Sequence, residues 1–208
     1  MKAKISNINK SKNCKNNDIF IKNANKTAIS GLKVQNIKDL SLSSLKHLAL
    51  IKTLICVHDY LPNIIKVVDD TIAARASSAT DGSFIFGDLS GGTFGQIEKV
   101  LNLSERKISL VNLYCLINTM VGSLADKYKQ VVKLKFYKHK KTEYLAEEFG
   151  VDERTIYRWI NEALLKLLSY CNKNNWSYSF LCSQIENEGW LYEHYTKHYS
   201  NLLTNACK

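Results

Sequence analysis

From Ser41 onward, apolar residues recur along this chain at the spacing of helix faces. Leu45, Leu48, Ala49, Lys52 and Cys56 mark one helix, with Ser41, Ser43 and Ser44 placed to cap its N-terminus. Pro62, the single proline, suits the first turn of a second helix running through Ile64, Val67 and Ile72. Residues 77–92, SSATDGSFIFGDLSGG, gather four of the nine glycines with Ser and Asp and predict a loop or short hairpin. Helical patterning resumes near Phe94, with Ile108, Val111, Cys115 and Leu116 as the expected buried stripe. Residues 124–138, LADKYKQVVKLKFYK, predict an amphipathic helix with Leu124, Tyr128, Val131, Val132 and Phe136 on one side and lysines on much of the rest.

The next stretch, YLAEEFGVDERTIYRWINEAL, differs in kind. A short helix over 142–149 turns Leu145, Ala146 and Phe149 inward and stops at Gly150, which can adopt the left-handed conformation that ends a helix sharply. Val151 fills the corner and Asp152 caps the following helix. In that helix, 153–168, Ile156, Trp159, Ile160, Ala163, Leu164 and Leu167 form a continuous apolar stripe. The pattern is that of a helix-turn-helix.

The face opposite the stripe carries Arg154, Tyr157, Arg158 and Asn161, with Glu153 at the helix start. Arginine's planar fork suits guanine O6 and N7, Asn suits adenine N6 and N7, and a carboxylate can accept from cytosine N4. Glu153 at a helix N-terminus also complements the dipole, and Arg158 with Glu162 has the spacing of a surface ion pair. Only four arginines occur in the chain, and two of them are here.

Charge sharpens this picture. The net charge is +10, but residues 1–38 hold nine lysines against Asp18 and account for +8 of it. That segment reads as a basic disordered arm, or as one adding nonspecific attraction to nucleic acid. Between Val121 and Lys141 seven lysines face only Asp126. Lys133, Lys135, Lys138, Lys140 and Lys141 are therefore candidate phosphate contacts. Residues 142–168 are acidic overall, so Glu143, Glu147 and Glu148 must point away from any DNA.

Residues 121–168, on LADKYKQVVKLKFY and LAEEFGVDERTIYRWINEALLKL, resemble region four of bacterial sigma factors, the promoter-binding helix-turn-helix. They are also similar to segments closing phage-type late-transcription regulators of low-GC Gram-positive bacteria. Where that family opens with Leu-Pro, this chain has Leu124-Ala125. Residues 41–120 lack the tryptophan- and basic-rich helices with which sigma factors melt promoter DNA. The resemblance implies a sigma-like regulator with its own N-terminal helical module.

Other chemistry is thin. GGTFGQ lacks the Lys-Ser/Thr that completes a phosphate loop, and Tyr195 follows His194 where a metalloprotease has Glu. Six scattered cysteines suit free thiols, and no run is long and apolar enough for a membrane span. The aromatic C-terminal tail is expected to pack back on the bundle.

The expectation is an all-α protein: an arm over 1–38, a helical module over 39–120 with a Gly-rich loop at 77–92, a helix-turn-helix DNA-binding domain over 121–170, and aromatic helices over 171–208. It is a cytoplasmic, non-enzymatic transcription regulator without cofactor or metal, whose partner is double-stranded DNA. RNA polymerase and a second copy of the chain are further candidate partners. The alternative is a helical interaction module docking a polymerase subunit or another protein.

Overall fold

The computed structural model describes Ile37 and residues 40–80 and 92–206. Apart from Ile37, the arm over 1–38 lies outside the described residues. Among them the architecture is all-α: α1 (Leu42–Val57), α2 (Leu61–Thr80), α3 (Gly92–Gly122), α4 (Asp126–Val132) running into a π-helical turn (Lys133–Tyr137), α5 (Thr142–Phe149), α6 (Glu153–Lys173), α7 (Tyr178–Ser183) and α8 (Gly189–Ala206).

α1 is the central strut. The Ser41 hydroxyl caps it by accepting from the Ser44 N–H at 3.2 Å. Ten of its sixteen residues are buried, on every side of the helix, because it packs against α6, α7, α8 and the π-helical turn. Leu48, Leu50, Ile51, Leu54 and Ile55 are fully enclosed, each worth about 1.5–3 kcal/mol relative to exposure. The single stripe expected for this helix is thus too narrow, and two of its members, Lys52 and Cys56, are only half-buried. A helix surrounded by partners carries apolar residues all round.

Residues of all three segments outlined above share one continuous core. Leu48 and Leu54 of α1, Leu113 and Ile117 of α3, Ile156 and Leu164 of α6, and Leu181 and Leu191 near the C-terminus belong to a single cluster. His58, at the corner after α1, joins the parts. Its ring stacks on Tyr114 at 4.8 Å and on Tyr137 at 3.9 Å, and its Nε2 pairs with Asn118 Oδ1 at 2.9 Å. Burial holds its pKa below the usual histidine value.

Two expectations need correction. The loop expected over 77–92 is narrower, because α2 continues to Thr80 and α3 begins at Gly92; residues 81–91 lie outside the described residues. Ser77 bonds back to the Ala73 carbonyl at 2.9 Å, which lets a serine stay helical. In α3 the buried residues are Leu110, Leu113, Ile117, Met120 and Val121, while Ile108, Val111 and Cys115 are exposed and Leu116 is half-buried. α3 carries two apolar stripes, and the core takes the other one.

α3 meets the C-terminal segment through a pair that local sequence does not announce. Arg106 donates from Nε and Nη2 to the two oxygens of Glu188 at 2.7 and 2.9 Å, and the Trp190 indole N–H donates to the same carboxylate at 2.7 Å. Burial pushes the Glu188 carboxyl up, but these bonds outweigh it and hold its pKa below the ordinary value.

Candidate nucleic-acid interface

The turn between α5 and α6 follows from three residues. Gly150 takes φ 62°, ψ 36°, the left-handed conformation that L side chains avoid. Its N–H donates to the Glu147 carbonyl at 3.2 Å, and the Val151 N–H reaches the Ala146 carbonyl at 3.0 Å, the paired bonds of a Schellman C-cap. Ala146 and Val151, the two ends of that motif, both pack against the core. Asp152 then caps α6, its Oδ1 accepting from the Thr155 N–H at 2.5 Å. Hydrogen bonding from the Thr155 side chain, then from its N–H, lowers the Asp152 pKa, and Arg158 and Arg154 lower it further.

α6 is fixed on its inner side by Ile156, Ile160, Ala163, Leu164 and Leu167, all buried, and by half-buried Trp159, which meets Phe149 of α5 edge-on at 5.8 Å. The same stripe continues through Leu168 and Cys171, so the helix runs to Lys173 rather than stopping at 168. On its outer side Glu153, Arg154, Tyr157, Arg158 and Asn161 are all exposed. Among the described residues Arg154, Tyr157 and Asn161 make no side-chain hydrogen bond.

Arg158 has a neighbour, Glu162, but the contact is long: 3.9 Å from Nε to Oε1, with the Arg158 side chain 66% exposed. The other carboxylate oxygen is engaged elsewhere. Tyr128 of α4 donates its hydroxyl to Glu162 Oε2 at 2.6 Å, and this bond raises the Tyr128 pKa. Glu162 is thereby held toward α4, and the Arg158 fork keeps its donors.

The candidate phosphate contacts are spread over the π-helical turn and the link to α5. There the Lys138 N–H returns to the Lys133 carbonyl at 3.0 Å, and His139 takes φ 50°. Lys133, Lys138, Lys140 and Lys141 are exposed. Lys135 is half-buried, donating to the Thr142 hydroxyl at 3.0 Å, which makes it part of the turn's own structure. Lys140 lies 4.8 Å above the Tyr144 ring. Lys127, outside the set proposed from sequence, sits 3.7 Å over the Trp159 ring and adds a cation where α4 crosses α6. Its only signal in sequence is its place among the lysines of α4. Ala125, where the resembling family has proline, holds φ −61°, the value a proline ring imposes.

The aromatic tail packs inward as expected, through Leu181, Ile185, Leu191 and Tyr195. His194 is exposed and His198 half-buried. Cys56, Cys115, Cys171 and Cys182 are free thiols, and burial pushes Cys56 up to about 11 and Cys171 up to about 12. Among the described residues, no single helix is long and apolar enough to cross a membrane.

Residues 116–167 match the family model for Sigma-70, region 4. The match opens in the last turns of α3 and closes within α6, so it takes in α4, the π-helical turn, α5 and the Gly150 corner. Domains of that family bind DNA and RNA polymerase in general, which gives this quarter of the chain a transcription-related, DNA-binding character. No curated protein and no solved structure matches the chain.

Proposed function

We propose that this protein is a sequence-specific regulator of transcription that lays α6 in the major groove of double-stranded DNA. The observation that carries this reading is the outer face of α6. Two guanidinium groups and an amide stand there exposed on a rigidly seated helix, and the acid nearest Arg158 is engaged by Tyr128. Arg154 and Arg158 suit guanine edges and Asn161 an adenine edge, while Tyr157 offers an aromatic face to the groove. Glu153 accepts from cytosine or caps the helix dipole. Lys133, Lys138, Lys140 and Lys141 supply phosphate contacts, with Lys135 holding the turn that presents them. The protein works as a non-enzymatic DNA binder in the cytoplasm, with RNA polymerase as a further partner.

One feature favours a second reading. Glu143, Glu147 and Glu148 are exposed on α5, an acidic surface that repels DNA and suits a protein partner. Titrating binding to random duplex DNA against salt separates the two. Phosphate neutralisation makes log K fall steeply with log salt. Selection from a random duplex pool should then return a preferred site. Absence of DNA binding even at low salt would leave the protein-docking reading in its place.

A further inference from the structure

α3 is 31 residues long, about 46 Å at 1.5 Å per residue, and only one of its two apolar stripes is used by the core. The second consists of Ile97, Leu101, Ile108, Val111 and Cys115, with half-buried Ser104, its hydroxyl turned back to the Val100 carbonyl, at the one polar place in the spacing, on roughly the opposite face from Leu110, Leu113 and Ile117. Ile97, Leu101 and Ile108 are 50%, 57% and 59% exposed. Val111 and Cys115 are also exposed. Beside this stripe, α2 forms one bank of a shallow groove floored by Ile72, Ile108 and Val111, and the Asp69–Lys107 ion pair locks that bank in place.

Single exposed apolar residues are ordinary on a protein surface, but this set is periodic. Its steps are 4, 3, 4, 3 and 4 residues, the 3.5-residue repeat of a coiled-coil seam. Such a stripe drifts on a straight helix and stays in register only against a partner helix of the same repeat. A helix of the same repeat fits this stripe, and the sizes of its side chains favour one candidate.

The stripe is symmetric about position 106. An antiparallel second α3 places Ile97 opposite Cys115, Leu101 opposite Val111 and Ile108 opposite Ser104. Each layer sets a larger side chain against a smaller one, as close packing requires. A parallel pair would instead stack Ser104 on Ser104 and Cys115 on Cys115, leaving thin layers. We infer that the exposed stripe of α3 is a two-fold, antiparallel interface between two copies of this chain. The interface is isologous: one surface is its own complement. It stands independently of the DNA-binding reading, and where both hold, the dimer carries two α6 helices and gains avidity for targets with two sites.

The test is the association state of the full chain by sedimentation equilibrium across about 1–100 μM, a range that brackets ordinary dimer affinities. The wild type is expected to dimerise in this range. Leu101→Glu and Ile108→Glu, at exposed positions, should be monomeric with unchanged helical circular dichroism, and should lose the concentration dependence of melting that a dimerising wild type shows. Orientation is read by mild oxidation of a chain carrying Cys14→Ser and Cys207→Ser. With Ile97→Cys added, that chain should form a covalent dimer through Cys115, lost again on Cys115→Ser. Without Ile97→Cys it should not crosslink. A wild type that is monomeric at 100 μM, or a dimer that survives both Glu substitutions, overturns the inference. Ready crosslinking through Cys115 alone overturns the antiparallel arrangement.

Discussion

Replacing Gly150 isolates what the backbone contributes to the helix-turn-helix. The residue sits at φ 62°, ψ 36°, and a Cβ built there meets no atom within 4 Å. Substitution therefore costs conformational strain rather than collision with neighbours. For alanine the left-handed region costs about 1–2 kcal/mol. Valine, branched at Cβ, should cost about 2–3 kcal/mol, near the top of the range for strained backbone. Asparagine tolerates this region and should fall well below alanine. For a chain of this size each kcal/mol lowers the melting temperature by roughly 2–4 °C. Thermal and urea unfolding followed by circular dichroism should rank the variants Gly, Asn, Ala, Val from most to least stable. The Schellman bonds from Gly150 and Val151 set the angle between α5 and α6, so Gly150→Val should also abolish site-specific binding in a fluorescence-anisotropy assay while most helix survives. Glu147→Val, on the exposed side of α5, is the control and should cost under about 1 kcal/mol. Equal losses for Asn, Ala and Val would mean that φ does not govern the site. A wild-type Gly150→Val would refute the turn itself.

Arg158→Ala should cost about 1–3 kcal/mol on the preferred DNA site and relax selectivity at one base pair, whereas Lys133→Ala should weaken all sequences alike and lower the salt slope by about one. Equal losses on specific and random duplexes for Arg158→Ala would remove it from the base-reading set. Glu188→Gln deletes the bidentate partner of Arg106 and should lower stability by about 1–3 kcal/mol, read from the urea midpoint. The Arg106 side chain is 42% exposed and can rehydrate, which keeps the loss below that of a fully buried pair. His198 has its pKa pushed down to about 4 by burial, then by Lys52, His194 and Lys197, so the unfolded chain binds its proton first. Stability should therefore fall as pH drops from about 6.5 towards about 4. His198→Leu should flatten that decline, leaving the share of His47 and His58, whose pKa values burial also lowers. An unaltered pH profile in the variant would contradict the burial of His198.

The corner from Thr142 to Leu167 is legible because its signals are local. Gly150, Asp152 and the spacing of Ile156, Ile160, Ala163 and Leu167 each act within a few residues of themselves. α1 is less legible for a physical reason. A helix apolar on all sides has no phase to read, so picking out Leu45, Leu48 and Ala49 hides Leu50, Ile51 and Leu54. α3 presents the opposite difficulty, two well-phased stripes, and nothing local tells which one the core will take. Pairings over long separations, such as Arg106 with Glu188 or Tyr128 with Glu162, depend on how helices cross. So does the loss of Lys135 to Thr142: its charge is visible in sequence, its hydrogen-bond partner is not.

The enclosure of α1 also bears on how the chain is made. α1 ends at Val57, and its long seam with α8 closes only when a helix ending at Ala206 has been synthesised. About 150 residues separate them, roughly 8–30 s of translation at ~5–20 residues per second. Throughout that interval Leu48, Ile51 and Leu54 belong to a helix whose walls are incomplete, α6 arriving before α8. The most apolar segment is thus an early product with a late destination. It must wait against provisional neighbours, or in the care of a chaperone, until the last helix arrives. Contacts so distant in sequence also slow refolding of the finished chain, because a long loop has to close before the seam between α1 and α8 is gained.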